Sequence, residues 1–271
     1  MRYIKGHGTG NDFIIVPDSG DLSPESVRAL CDRRTGIGAD GALGVVRADG
    51  GWFMDYRNAD GSVAEMCGNG IRVFAAYLIA AGLTAGPEVA IGTRAGPRVV
   101  RRRADGQFSV NMGPVRGDGT GWAVIGGQRR DGLRVDVGNP HMACVVDGPV
   151  AGYDLSRPPE TERGAFPAGV NVEILRVTGD HDIEMRVHER GSGETMSCGT
   201  GAVAAVVAAA AAAGEWPDRA LPWRVHVPGG RLEVVPDPAG AVLTGPAVLV
   251  AEGETWPGWP AGSAATASAA S

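Results

Sequence analysis

Hydrophobic positions along the chain follow two patterns that differ in period and in length. Two long apolar segments, residues 69–81 and 200–213, predict helices, and each is followed by a glycine, Gly82 or Gly214, as helix ends often are. Shorter β-branched or alternating runs, separated by Gly, Pro and Asp clusters, predict strands. These runs are residues 12–16, 42–46, 52–57, 98–102, 108–112, 133–137, 142–146, 170–175, 183–188, 224–227 and 231–235.

The predicted helices differ in how many of their faces are apolar. Residues 200–213 are almost entirely Ala and Val, and a helix that is apolar on every side belongs in the interior. A shorter helix is predicted over residues 24–33, where Ser23 is placed to cap it and Pro24 suits its first turn. Its apolar residues share one face, so this helix is expected to pack one side against the protein.

The chain also contains an internal repeat. Residues 66–70 read MCGNG and residues 197–201 read SCGTG, at an offset of 131 residues. Upstream, the dipeptide GN at residues 10–11 returns at residues 138–139, at an offset of 128 residues. Offsets this similar indicate that one half of the protein is a duplicate of the other.

The repeat and the element pattern together predict the fold. We expect an α+β (mixed) protein of two pseudo-symmetric domains, each a barrel-like sheet wrapped around a central buried helix. The Gly-, Pro- and Asp-rich stretch at 113–121 places the boundary, giving domains at 1–117 and 118–260, with the last strand returning to the first half. Residues 261–271 contain only Ala, Gly, Ser and Thr, which predicts a disordered tail.

Composition and charge disfavour several classes of function. The chain has 271 residues and a net charge of −6, which disfavours a nucleic-acid partner because phosphate backbones need a basic face. The longest apolar stretch, 202–213, is too short to span a bilayer, so no membrane role is expected. The start of the chain has no apolar run of signal-peptide length, and the four cysteines form no CxxC pair. These features predict free thiols and a cytoplasmic location.

A count of basic residues argues against two cofactor classes. Lys5 is the single lysine and follows no Gly-rich phosphate loop. A pyridoxal phosphate enzyme needs a Schiff-base lysine, and a P-loop needs Gly-Lys-Ser/Thr. The histidines have no ligand-like spacing. We therefore expect neither a cofactor nor a metal ion.

The candidate chemistry lies at two cysteines, Cys67 and Cys198, each directly before a Gly-x-Gly that opens a long helix. Unpaired N–H groups at a helix N-terminus bind anions and are expected to lower a thiol pKa from its ordinary value of about 8.5. Two such thiols facing each other suit the inversion of a stereocentre next to a carboxylate. One thiolate removes the α-proton, and the opposite thiol protonates the other face.

Several segments resemble the diaminopimelate epimerase family, within the proline-racemase-like superfamily. They are residues 8–13 (GTGNDF), 58–62 (NADGS), 66–72 (MCGNGIR), 138–141 (GNPH), 189–191 (ERG), 198–201 (CGTG) and 243–247 (LTGPA). The resemblance extends over almost the whole chain apart from the tail. It implies conversion of LL-2,6-diaminopimelate, a small-molecule substrate, to the meso form in lysine and peptidoglycan precursor synthesis, with the site between two domains. Relatives of this kind are often dimers, so a homodimer is expected too.

The resemblance also implies roles for individual residues. Cys67 and Cys198 would be the acid/base pair, and main-chain N–H groups around Gly68, Asn69, Gly199 and Thr200 would hold the reacting carboxylate. The side chains implied to line the rest of the pocket are Asn11, Asn58, Asn139, Asn171, Glu189 and Arg190. The residue types agree, because a distant zwitterion needs a guanidinium for its carboxylate and an acceptor for its ammonium.

Several features of the sequence allow more than one interpretation. Gly41 stands where many family members have Gln, so one polar side-chain contact to substrate that the resemblance implies has no counterpart at this position. His141 either contacts the site or is structural. A racemase of another amino acid is one alternative function, and a non-catalytic binding relative is another. A dithiol oxidoreductase is a third, although such enzymes usually place both cysteines close together in sequence.

Overall fold

The computed structural model describes residues 1–18, 22–48 and 50–259, so the predicted tail at 261–271 lies outside the described residues. Within that range the chain forms three α-helices, α1 (Pro24–Cys31), α2 (Gly68–Ala80) and α3 (Gly199–Ala212), and one 3₁₀ turn (Val150–Gly152). The strands are β1 (Arg2–Gly8), β2 (Asn11–Val16), β3 (Gly41–Ala48), β4 (Gly51–Asn58), β5 (Glu88–Gly92), β6 (Arg98–Arg102), β7 (Phe108–Gly113), β8 (Arg116–Ile125), β9 (Gln128–Asp136), β10 (Pro140–Val145), β11 (Glu160–Thr161), β12 (Asn171–Gly179), β13 (Asp182–Glu189), β14 (Gly193–Thr195), β15 (Trp223–Val227), β16 (Gly230–Val235), β17 (Ala241–Gly245) and β18 (Val248–Glu254). The prediction of a sheet-dominated α+β fold with few helices is confirmed.

Hydrogen bonds join the strands in an order that repeats along the chain. In the first half, β1–β2 is antiparallel, β2–β3 parallel, β3–β4 antiparallel, β4–β5 parallel, and β5–β6–β7 antiparallel. In the second half, β9–β10 is antiparallel, β10–β12 parallel, β12–β13 antiparallel, β13–β15 parallel, and β15–β16–β17 antiparallel. The two halves therefore use the same pairing sequence, and α2 and α3 occupy the same place in it.

Two strand pairs connect the halves. The β17 strand pairs with β7, and β18 pairs with β1, so the end of the described chain lies beside its beginning. Residues 117 and 118, where the domain boundary is predicted, lie within β8, which pairs with β9. The boundary itself stays a prediction.

The two long helices share one hydrophobic core. Residues Phe74 of α2 and Val206 of α3 are both fully buried and belong to the same cluster. Every residue from 201 to 210 is buried, as the all-round apolar pattern of this helix predicts. This burial holds the N-terminal ends of both helices in place, and the candidate cysteines lie at those ends.

The short helix α1 begins as predicted and ends earlier. Ser23 Oγ accepts from the Ser26 N–H at 3.1 Å, and Pro24 occupies the first turn. The helix ends at Cys31, two residues before the predicted end, because the Asp32 carboxylate accepts from the following N–H groups of Arg34 and Thr35 at 2.8 and 2.6 Å. These bonds form a turn that takes the chain out of the helix.

The strands absent from the prediction include β8, with three glycine or aspartate residues in its first half, and β18, in which no residue is buried. Glycine and aspartate have low strand propensity, and a strand without a buried face lacks the apolar alternation that predicts one, so partner strands decide the conformation of both segments. None of the helices over residues 1–18, 22–48 and 50–259 has the length and apolarity needed to cross a membrane.

Candidate active site

The two cysteines are the N-cap residues of the two long helices. Cys67 has extended backbone angles, and its sulfur accepts from the Gly70 N–H at 3.4 Å. Cys198 has nearly the same angles, and its sulfur accepts from the Gly201 N–H at 3.3 Å. Each sulfur thus takes the position that a Ser, Thr or Asp oxygen usually fills at a helix start.

The N-terminal ends of α2 and α3 lie against each other. A Cβ atom on Gly199 would be 2.9 Å from the Gly68 Cα, and one on Gly68 would be 3.3 Å from the Gly199 Cα. Glycine is required at both positions, since a side chain at either would contact the backbone of the other helix. Unpaired N–H groups of two helices therefore meet at one place, which suits the binding of a single carboxylate.

A cavity of about 810 Å³ opens at this junction, with an adjoining space of about 250 Å³. Both cysteines line both spaces. Of the other predicted site residues, those that line one or both are Asn11, Asn58, Gly68, Asn139, Asn171, Glu189, Arg190, Gly199 and Thr200. The structure thus brings eleven of the twelve predicted residues to one cleft, and Asn69 lies behind it.

The Asn69 side chain is fully buried and joins the two halves. Its Nδ2 donates to the Ser197 carbonyl at 2.9 Å and lies 3.3 Å from Asn11 Oδ1. Its Oδ1 accepts from the Arg72 guanidinium at 2.9 Å. The side chain is therefore engaged within the protein, where it links the two halves.

Sequence reasoning missed Arg72, although an arginine on a helix with otherwise apolar neighbours is a visible signal. The guanidinium is fully buried, and it donates to Gly68 O and Asn69 Oδ1, both at 2.9 Å. Gly8 and Gly245 leave room for it, since a Cβ on either would lie 3.1 or 3.2 Å from its Nη2. Burial lowers the pKa of Arg72 to about 10, and its positive charge acts on Cys67.

An asparagine accompanies each cysteine. The Cys67 sulfur lies 3.7 Å from Asn11 Oδ1. On the other side, Asn139 Nδ2 lies 3.4 Å from Thr200 Oγ1, which lies 3.4 Å from the Cys198 sulfur. Asn11 on β2 thus contacts the Cys67 thiol directly, whereas Asn139, in the turn before β10, reaches the Cys198 thiol through Thr200 of α3.

Glu189 and Arg190 have different surroundings. The Glu189 carboxylate accepts from the Thr195 hydroxyl and interacts with the Cys198 thiol, and burial raises the pKa of Glu189. The Arg190 guanidinium donates to the Ala168 carbonyl at 2.8 Å, and the Arg190 main-chain N–H donates to Asn171 Oδ1 at 3.0 Å. Asn171 therefore positions Arg190 at the rim of the cleft.

The expectation of lowered thiol pKa values is wrong in this structure. Burial raises the pKa of Cys67 to about 11, although the N–H groups of Gly70 and Asn69 act in the opposite direction. Burial raises the pKa of Cys198 well above its usual range, and Glu189 and Glu173 add to that rise. Desolvation of a charge outweighs the helix N-terminus here.

The other two cysteines lie apart from the site. Cys31 and Cys144, expected to be packed thiols, are buried in two smaller apolar clusters. Burial raises the pKa of each to about 12, and neither residue lines the cleft. In the described part of the chain, no group of three or more His, Cys, Asp or Glu side chains could hold a metal ion.

Gly41, where many family members have Gln, has no room for a side chain in this structure. A Cβ atom there would be 2.6 Å from the Arg57 carbonyl oxygen and 2.9 Å from the Tyr56 ring. Tyr56 itself lines both spaces of the cleft. The aromatic ring therefore occupies the space in which such a glutamine side chain would begin.

Solved structures show the class to which this fold belongs. It matches a probable proline racemase from Agrobacterium radiobacter with a TM-score of 0.68 and 15% identity, covering 96% of this chain and 94% of that one. It matches a Bacillus anthracis phenazine biosynthesis protein of the PhzF family with a TM-score of 0.70 and 16% identity, covering 94% and 98%. At such identities the likeness shows a shared fold.

Sequence comparison gives the particular family. The diaminopimelate epimerase profile matches residues 3–117 and 133–250. The chain is 52% identical over 272 residues to the diaminopimelate epimerase of Thermobifida fusca, covering 94% of this chain and 97% of the relative. It is 48% identical over 288 residues to that of Mycolicibacterium smegmatis, covering 96% and 98%. The chain belongs to the diaminopimelate epimerase family.

Proposed function

We propose that this protein converts LL-2,6-diaminopimelate to meso-diaminopimelate without a cofactor, with Cys67 and Cys198 as the acid/base pair. Membership of the family supports the reaction. The observation that supports the mechanism is that two cysteine sulfurs cap two helices whose N-termini meet at glycines 68 and 199. This arrangement offers one carboxylate-binding point between two thiols.

The proposed reaction begins with the substrate carboxylate at the helix junction, bound by main-chain N–H groups around Gly68, Asn69, Gly199 and Thr200. One cysteine, as thiolate, takes the proton from the α-carbon, and the electron pair spreads onto the carboxylate. The N–H groups stabilise that charge because they already point at it. The opposite thiol then donates its proton to the other face of the carbon, so the two cysteines exchange protonation states over one turnover.

The rest of the cleft would recognise the distant amino-acid end. Arg190 is proposed to bind the second carboxylate, and Asn58 and Asn171 to act beside it. Glu189 interacts with the Cys198 thiol, which supports a role at the reacting end in place of the ammonium-binding role expected from sequence. Asn11 and Asn139 would position the thiols they accompany. The second charged end favours diaminopimelate over a shorter amino acid, which is the alternative substrate.

The test follows LL-diaminopimelate in D2O with reductant and without pyridoxal phosphate, for the wild type, Cys67→Ala and Cys198→Ala. We expect meso product carrying one α-deuterium, and a loss of at least about 100-fold in each variant. Circular dichroism of the variants is the control for folding. A folded, reduced wild type that forms no product would reject this substrate, and full activity in either alanine variant would reject the two-thiol mechanism.

We also propose that the protein functions in the cytoplasm as a homodimer, with domains at 1–117 and 118–260. Four free cysteines support the location, because unpaired thiols persist in a reducing compartment. The repeated strand pairing supports the two domains. Val248 and Val250 on β18 are 42% and 60% exposed, and their apolar surface supports association. Sedimentation equilibrium would measure the mass, and a concentration-independent monomer would reject the dimer.

A further inference from the structure

A buried acid–base pair lies beneath the start of α3. Glu173 on β12 and His141 on β10 are both fully buried, and Glu173 Oε1 is 2.7 Å from His141 Nδ1. The same oxygen lies 2.7 Å from where a Cβ on Gly201 would be, so the carboxylate is pressed against the first turn of the helix. Its second oxygen, Oε2, has no hydrogen-bond partner within the described residues. Burying such a group is unfavourable, which calls for an explanation.

The pair continues into the site through a line of polar contacts. His141 Nε2 is 3.0 Å from Asn139 Oδ1, and Asn139 Nδ2 is 3.4 Å from Thr200 Oγ1. Thr200 Oγ1 is 3.4 Å from the Cys198 sulfur. Both ring nitrogens of His141 thus face an oxygen that can accept, so Glu173 and Asn139 together define the orientation of the ring.

In the first half of the molecule, the position equivalent to the His141–Glu173 pair is filled by apolar side chains. Phe13 pairs with Gly41 between β2 and β3, just as His141 pairs with Asn171 between β10 and β12. Two residues further along the partner strand stand Leu43 in the first half and Glu173 in the second.

Phe13 and Leu43 are both fully buried, as His141 and Glu173 are. The Phe13 ring lies 3.4 Å from where a Cβ on Gly70 would be, so it fills the place beneath α2 that Glu173 fills beneath α3. The fold accepts an apolar pair at this position. A structural requirement therefore does not explain the ionisable pair in the second half.

We propose that Glu173 is a positioning residue for the Cys198 side of the site. Its carboxylate holds the His141 ring by a hydrogen bond, the ring holds Asn139, and Asn139 keeps Thr200 against the Cys198 thiol. The proposal rests on the proposed function, because it assumes that Cys198 exchanges a proton with substrate. The apolar pair of the first half supplies the control that separates positioning from folding.

Two variants test the proposal. His141→Phe with Glu173→Leu copies the first half, and E173Q keeps a hydrogen-bonding group of nearly the same shape. We expect the double variant to fold with nearly unchanged thermal stability and to lose at least about tenfold in kcat, with KM changed less than about threefold. E173Q should recover most of that loss. The rate at which iodoacetamide labels Cys198 should change in the double variant, while the rate at Cys67 should stay within about twofold.

Several outcomes would overturn this role. One is a folded double variant with wild-type kcat and wild-type Cys198 labelling. A double variant that does not fold would show that the pair is structural. An E173Q enzyme as slow as the double variant would show that the charge, and not the position, matters. Cys198→Ala and the wild type are measured alongside: full activity in Cys198→Ala would reject the proposed two-thiol mechanism, and a folded wild type without product would reject the proposed substrate, whatever Glu173 does.

Discussion

The two halves of this protein share a backbone plan and differ in the side chains around their cysteines. Both place a cysteine at the N-cap of a long buried helix between matching strands. The fifth residue of α2 is the buried Arg72, whereas the fifth residue of α3 is Val203. In the second half the residues near the thiol include two carboxylates, the fully buried Glu173 and the half-buried Glu189.

This difference has an electrostatic consequence. The carboxylate of Glu189 disfavours both thiolates, whereas the Arg72 cation favours the Cys67 thiolate and Glu173 disfavours the Cys198 thiolate. The symmetric backbone provides two equivalent thiols and a common carboxylate point. The asymmetric side chains then give the two thiols different tendencies to ionise. This difference suits the reaction, because only one of the two thiols has to begin as the base.

The largest effect is expected where the halves touch. Gly199→Ala places a Cβ 2.9 Å from the Gly68 Cα, so the helix ends must move apart. We expect a loss of about 100-fold in kcat/KM, because a shift of about 1 Å misplaces the thiols. Gly148→Ala is the matched control, since a Cβ there would meet nothing within 4 Å. Wild-type kinetics for Gly199→Ala would show that the close approach is not needed.

The next effect concerns the cation of the first half. Arg72→Met removes the charge that acts on Cys67 and the donor that orients Asn69. We expect iodoacetamide labelling of Cys67 at pH 9 to slow severalfold and labelling of Cys198 to change less, because Arg72 acts on the Cys67 thiol. Arg72→Lys, which keeps a charge, should recover part of the rate. Equal slowing at both cysteines would contradict this asymmetry.

A pH series would sharpen the contrast between the thiols. The pKa of Cys67 is raised to about 11, so its labelling rate should keep rising with pH to about 11, and Cys198 should lag behind it. A thiol with a raised folded pKa stays protonated while the unfolded chain ionises from about pH 8.5, so the free energy of unfolding should fall above that pH. Cys198→Ala should reduce the fall. A labelling plateau for Cys67 near pH 8.5 would contradict the raised pKa.

The smallest expected effect tests an element found in one half. The crossover from β2 to β3 contains α1, whereas the crossover from β10 to β12 contains a 3₁₀ turn and β11. Ser23→Ala removes the α1 cap and should lower the free energy of unfolding by about 1 kcal/mol. Activity should stay at the wild-type level, because α1 supports the outer face of the sheet. Urea denaturation and the epimerase assay measure the two quantities, and a tenfold loss of kcat would contradict this separation.

Local sequence features predicted much of the frame. The apolar run and the closing glycine located α3 within one residue at each end, because helix period and capping depend on neighbouring residues. The repeat located both cysteines at equivalent helix starts for the same reason. The strand β18 was not predicted, because it has no buried face and pairs with β1 at the other end of the described chain. The strand β8 was not predicted because its first half is rich in glycine and aspartate, although its partner β9 follows directly in sequence.

By itself, the sequence determined the sheet-rich architecture, the duplicated frame, the two cysteines and the family. The tertiary structure decided which side chains reach the thiols and what charge they carry. Arg72 is buried without a carboxylate partner among the described residues, and Glu173 lies beneath Gly201; neither fact follows from sequence spacing. The physical reason is the distance along the chain over which each property is determined. Periodicity and capping depend on a few adjacent residues, whereas burial, and with it the thiol pKa, depends on every element that packs around the site.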